Sequence, residues 1–127
     1  MNVVDSSGWL EYFANGANAD FFATPIEDVS QLVVPSISLL EVFKRITQQR
    51  GERDAAKAVT QMHGGLIIDL DESLALSAAR ISLGLNLSLA DSVILATARA
   101  YDAVLWTQDA DFKGIDRVKY LGKKHVH

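Results

Sequence analysis

Apolar residues along this chain fall into two kinds of run. Four are short and nearly unbroken: "NVVD" (2–5), "LVVP" (32–35), "LIIDL" (66–70) and "AVLWT" (103–107). Each has the length and β-branched content of a buried strand. "VKYLG" (118–122) reads as a last edge strand. Between these runs the apolar positions recur at helical spacing. Trp9, Leu10 and Phe13 predict a helix in "SSGWLEYFA", and "NADFFATPIEDVSQ" reads as a helical segment interrupted near Pro25. "SISLLEVFKRITQQRG" carries an apolar arc of Leu39, Leu40, Val42, Phe43 and Ile46 and stops at Gly51. "ERDAAKAVTQMH" predicts a polar-faced helix ended by "GG", with His63 at its end, and "DESLALSAARISLG" a helix capped by Asp71 or Ser73. "SLADSVILATARAY" is apolar almost all round, the mark of a central helix, with Ser92 and Arg99 as its outer polar strip. "DADFKG" is a short helical turn or loop.

Strands alternating with helices across short turns predict an α/β sandwich around a parallel sheet. In such sheets ligands bind beyond the carboxyl ends of the strands. Composition adds limits. At 127 residues, 49% hydrophobic and 22% charged, the chain suits a single domain over 1–127 with a sizeable core. With no cysteine it has neither disulfide nor thiolate metal ligand, which suits a reducing cytoplasm. The N-terminus lacks the basic-then-apolar pattern of a signal peptide. No apolar stretch nears the roughly 18–20 residues of a membrane span, so a soluble, non-membrane protein is expected. The net charge of −4 is a poor footprint for a nucleic-acid binder. Acids gathered around divalent cations would explain part of it.

The acids fall at telling places. Asp5 closes the first strand run, and Asp109 lies just past "AVLWT". Glu41 and Asp91 sit in the first turns of their helices. In a parallel sheet these four positions can share one edge, where they would repel each other and need cations or protons to coexist. Oxygen-only ligands suit Mg²⁺ or Mn²⁺ rather than zinc. Each acid also has a plainer explanation. "SLLE" and "SLAD" match the capping box, with Ser38 or Ser88 as N-cap. Glu41 lies opposite the apolar arc and has Arg45 at i+4 to pair with. Asp5 suits an N-cap, and Thr107 with Asp109 suits a turn. Asp91 shares its side of the helix with Ile94, Leu95 and Ala98, where a carboxylate is costly without donors or a cation.

In that order, "VVDSSGWLEYF", "SLLEVFKR", "SLADSVILATARAYDAVLWTQDADF" and "VKYL" resemble a PIN domain, specifically the VapC-type toxin of prokaryotic toxin–antitoxin pairs. The resemblance spans nearly the whole chain. It implies a three-layer α/β/α sandwich with a mainly parallel sheet of about four to five strands. It also implies a metal-dependent endoribonuclease with Asp5, Glu41, Asp91 and Asp109 as catalytic acids. Asp5, Asp91 and Asp109 would hold one or two Mg²⁺ (or Mn²⁺) ions, and Glu41 would orient or deprotonate a metal-bound water that attacks an RNA phosphodiester. Ser6 and Thr107 match supporting positions, and Asp111 an outer ligand or structural residue. The implied partners are RNA, a VapB-type antitoxin and a second copy of the chain.

An RNA substrate calls for a basic rim. Lys44, Arg45, Arg99 and Lys113 are the main candidates, with Arg50, Arg117, Lys123 and Lys124 behind them. Trp9, Phe13, Phe21 and Phe22 suit the core better than base stacking, and some fall where the family's antitoxin groove would run. His63, His125 and His127 are not needed by this chemistry. A receiver domain or a haloacid-dehalogenase-like phosphatase would need a second acid beside Asp5, where Ser6 and Ser7 stand. The non-enzymatic alternative is a catalytically silent PIN-like module that binds RNA or antitoxin.

Overall fold

A computed structural model describes residues 1–124; His125 and His127 lie outside them. Five strands form: β1 (Asn2–Val4), β2 (Val33–Pro35), β3 (Leu66–Ile68), β4 (Val104–Thr107) and β5 (Val118–Tyr120). All pairings are parallel. β1, β4 and β5 make one sheet and β2 with β3 another, joined by a single bridge between Asn2 and Leu32. The spatial order is therefore β3-β2-β1-β4-β5. The chain builds outward from β1 on one side and then returns to its other side. β1 and β4 flank the switch point, and their carboxyl ends open the crevice where such sheets bind ligands.

Six helices cover the sheet: α1 (Ser6–Phe13), α2 (Ala19–Glu27), α3 (Ser36–Arg50), α4 (Glu52–Met62), α5 (Glu72–Leu85) and α6 (Leu89–Ala100). The two-residue period of the strands divides the core in two. Val4, Val34 and Trp106 face one side and pack with Trp9, Phe22, Val42 and Met62 of the first four helices. Val3, Val33 and Leu105 face the other and pack with Ile94, Leu95 and Ala98 of α6. α5 covers α6 from outside through Leu74 and Ala78 against Ala96. The result is the expected three-layer sandwich, with α6 as its central helix. Each fully buried Leu, Ile or Val here contributes about 1.5–3 kcal/mol of apolar burial. Trp9 and Phe22 are core residues, and Phe13 and Phe21 pack half-buried against them. Among the described residues no single helix is long and apolar enough to cross a membrane.

Three local expectations need correction. Pro25 does not interrupt α2, which continues to Glu27 with the ring buried; the missing N–H removes a bond only in the last turn, where the helix is ending. Ser38 is not an N-cap. α3 starts two residues earlier at Ser36, so Ser38 is buried in its first turn. Ser92 is not on the outer strip of α6 but 1% exposed, its hydroxyl satisfied by donation to the Ser88 carbonyl at 2.7 Å.

Candidate active site

The site grows from the helix starts at the carboxyl edge of the sheet. β1 runs directly into α1, so Asp5 becomes the N-cap and accepts from the Gly8 N–H at 2.9 Å. That helix start must come close to the sheet. A Cβ on Gly8 would stand 2.6 Å from the Phe22 ring and 2.7 Å from Val4, so only glycine fits without displacement. Ser7 Oγ lies 3.0 and 2.9 Å from the two Asp5 oxygens, and Thr107 Oγ1 donates to Asp5 Oδ2 at 2.6 Å. Asp5 is only 2% exposed. Burial pushes its carboxyl up to about 6, against the pull of these donors, and the nearby Asp91 adds to the rise.

Thr107 also accepts from the Asp109 N–H at 2.9 Å. One hydroxyl thus ties the end of β4 to both acids. Asp109 then caps the 3-10 turn Ala110–Phe112, accepting from the Asp111 N–H at 2.9 Å. Ser88 caps α6 as the sequence predicts, accepting from the Asp91 N–H at 3.2 Å. This leaves the Asp91 carboxylate pointing into the cluster. Partial burial, then Asp109, Glu41 and Asp111, raise its carboxyl to about 6, with Ser88 pulling the other way. Glu41 does not pair with Arg45. Its Oε1 accepts from Ser6 Oγ at 2.6 Å, joining α3 to the start of α1.

Asp5, Glu41, Asp91 and Asp109 line one cleft of about 440 Å³, together with Ser6, Lys44 and Arg45. Arg99 is elsewhere. It stands in the last turn of α6, roughly 12 Å along the helix from Asp91 by rise alone, and lines two other cavities. Lys113 is outside the cleft wall, its ammonium 5.8 Å from the Tyr120 ring centroid. His63 caps α4 at the surface, its Nδ1 2.8 Å from the Val59 carbonyl.

Oxygens of Asp91, Asp109 and Asp111 lie within 4.8 Å of one another. Two of the three expected metal ligands are in this trio, joined by Asp111; the third, Asp5, lines the same cleft and is held by its own donors. The donors are all hard oxygens. Among the described residues the one ion pair is Arg117 to Asp102, so no basic side chain neutralises the acids within 4 Å. An acidic set this close fits a divalent cation of the Mg²⁺ or Mn²⁺ kind. Ser7 was not anticipated. Its signal is its position two residues after a capping acid, where a hydroxyl can turn back to the carboxylate.

The PIN domain family model matches residues 3–118. No curated protein matches the sequence. A toxin–antitoxin complex from Klebsiella pneumoniae is similar in fold, with TM-score 0.79, 22% identity, and 94% of this chain and 96% of that one covered. The sarcin–ricin-loop-cleaving VapC toxin of Mycobacterium tuberculosis matches with TM-score 0.77 and 16% identity over 91% and 95%. DNA-bound VapBC from Salmonella typhimurium matches with TM-score 0.74 and 15% identity over 96% and 97%.

Proposed function

The chain belongs to the PIN domain family, and from that premise we propose that it is a metal-dependent endoribonuclease acting as the toxin of a toxin–antitoxin pair. The observation that carries this reading is the shared cleft of Asp5, Glu41, Asp91 and Asp109, with two carboxyls raised to about 6 and, among the described residues, no basic side chain within 4 Å of them. Asp91 and Asp109 would hold Mg²⁺ or Mn²⁺ with Asp111, and Asp5 in the same cleft would join them directly or through water. Bound there, the ion supplies positive charge that stabilises the developing phosphate charge and strengthens water as a nucleophile near neutral pH.

The chain's own groups do the rest. Glu41, oriented by the Ser6 hydroxyl, takes the proton of the attacking water. Asp5 is fixed by Thr107, Ser7 and Gly8 and keeps the acid array at its spacing. Lys44 and Arg45 on the cleft wall attract the RNA backbone, and Lys113 extends that attraction outward. Water adds to phosphorus as the bond to the 3′ oxygen breaks, leaving a 5′-phosphate and a 3′-hydroxyl. An antitoxin partner is supported by the toxin–antitoxin complexes among the similar folds. A homodimer and a cytoplasmic location, where RNA targets and a cysteine-free chain both belong, complete the proposal, with residues 1–127 working as one domain.

The test is cleavage of total cellular RNA by purified protein freed of any bound partner, with Mg²⁺, Mn²⁺ or EDTA, beside Asp5→Asn and Asp91→Asn. Cuts at defined sites that need metal and vanish in both folded variants are expected. Cleavage by neither metal, or equal cleavage by both variants, removes the mechanism in favour of a silent binding module.

A further inference from the structure

Asp109 is a wall between two cavities. One is the acidic cleft. The other, of about 380 Å³, lies at the carboxyl ends of β4 and β5 and is lined by Gln108, Asp109, Ala110, Tyr120, Gly122 and Lys123. We infer that this second cavity is a nucleotide subsite, which takes one unpaired RNA base on the Tyr120 ring next to the cleaved phosphate. The inference rests on the ribonuclease reading of the neighbouring cleft and adds where the strand runs beyond it.

Three observations carry it. The cavity is a built one. Asn18, 1% exposed, donates from Nδ2 to Gln108 Oε1 and to the Gly122 carbonyl, both at 3.1 Å, and so pins two of its walls together. Gln108 in turn lies with Nε2 3.4 Å from the Ser7 carbonyl, and the Leu121 N–H donates to the Thr107 carbonyl at 3.0 Å. The same residues therefore brace the cavity and the start of the catalytic array. Gly122 keeps it open, since a Cβ there would approach the Tyr120 hydroxyl to 3.3 Å.

The second observation is chemical. Tyr120 offers a half-buried ring, and Lys113 places its ammonium over it at 5.8 Å while Lys123 stands on the rim. Neither lysine is ion-paired within 4 Å among the described residues. A base stacked on a tyrosine ring is held at least as well as a surface cation beside it. The Lys113 ammonium, beside the ring but outside the cavity lining, is within reach of the phosphate that an incoming base brings. The third observation is selectivity by sign. The protein carries −4 overall, so Lys123 in this lining and Lys113 beside Tyr120 continue the attraction that Lys44 and Arg45 begin on the cleft wall and give the phosphate backbone a way out past Asp109. An aromatic face beside cations is how single strands are held with little sequence preference.

The experiment measures fluorescence anisotropy of a short labelled single-stranded oligoribonucleotide of mixed sequence with the full chain in EDTA, beside a duplex RNA. Tyr120→Ala is expected to weaken single-strand binding about 5-fold or more and to leave duplex binding unchanged. Tyr120→Phe, which keeps the ring, recovers the loss. Lys123→Ala lowers the slope of log affinity against log salt by about 0.7, one phosphate contact. Metal-dependent cleavage is followed in parallel. If wild type binds and cleaves but Tyr120→Ala matches it in both, the subsite is wrong, the nuclease reading stands, and the cavity is left for a protein segment. If wild type neither binds nor cleaves, both readings fall together.

Discussion

Asp91→Asn removes one charge from a cluster of like charges while keeping the shape of the side chain and the Ser88 cap, which binds the backbone N–H. The Asp91 carboxyl stands at about 6 in the fold against 3.8 as a free group. The folded state thus holds the proton more tightly than the unfolded chain. Below about pH 4 both states are protonated, and Asp91 costs nothing. As pH rises from there through 6, the folded state must give up a proton it prefers to keep, and stability falls. About two pH units at 1.36 kcal/mol each give roughly 3 kcal/mol. Because Asp91 is only partly buried and solvent screens it, roughly 1–2 kcal/mol is the realistic penalty. In EDTA at about pH 8, Asp91→Asn should therefore melt higher than wild type by about 3–10 °C. The gain should shrink steadily between about pH 6 and pH 4. Differential scanning calorimetry across that range gives the answer. If the variant melts at or below wild type at the upper pH, or the difference is the same at both ends, Asp91 is not under the partial burial and like-charge repulsion that motivate the metal site. An acid that destabilises its own fold is the expected signature of such a site.

The same cluster of acids predicts that Mg²⁺ or Mn²⁺ near about pH 7.5 stabilises the wild type by about 2.7 kcal/mol at a hundred times the dissociation constant, read as a higher melting temperature; Asp109→Asn should lose most of that gain in the same melt. Thr107→Val deletes the donor to buried Asp5 and should cost about 1–3 kcal/mol in urea unfolding, with the Asp5 carboxyl titrating above about 6 by ¹³C NMR. Gly8→Ala forces a methyl against Phe22 and Val4 and should cost about 1–3 kcal/mol by the same urea assay. Ser6→Ala frees Glu41 and should lower kcat with little change in melting temperature, measured on whichever RNA the wild type cuts.

Much of this protein is legible in its residue order, for identifiable reasons. Strand runs and helical periods are local, so the five strands and six helices of the described residues, the parallel α/β sandwich and the central place of α6 follow from apolar spacing, while the three-layer form came from the family resemblance. Caps are local as well: Asp5, Asp71 and Ser88 each accept the backbone N–H expected of them. The four acids are legible as an ordered set because each stands at a strand end or a helix start, and parallel topology sends those places to one edge.

What the order of residues leaves undecided depends on distance across the fold. Glu41 has Arg45 one turn away, yet takes its hydrogen bond from Ser6, 35 residues distant, because the α1 start is packed beside α3. Asp111 comes within 4.8 Å of Asp91 and Asp109, while Thr107 and the α1 start hold the Asp5 oxygens in the wall of the same cleft. Arg99 is only eight residues from Asp91, but helix length carries it to the other end of α6. Ser92 faces inward because α5 and the preceding loop cover that side of α6, a fact of packing that no helical wheel of α6 contains. Local sequence determined which groups were available and on which elements. Only the packed sheet and helices decided which of them meet, because hydrogen bonding and carboxylate repulsion act over a few ångströms of space and take no account of separation along the chain.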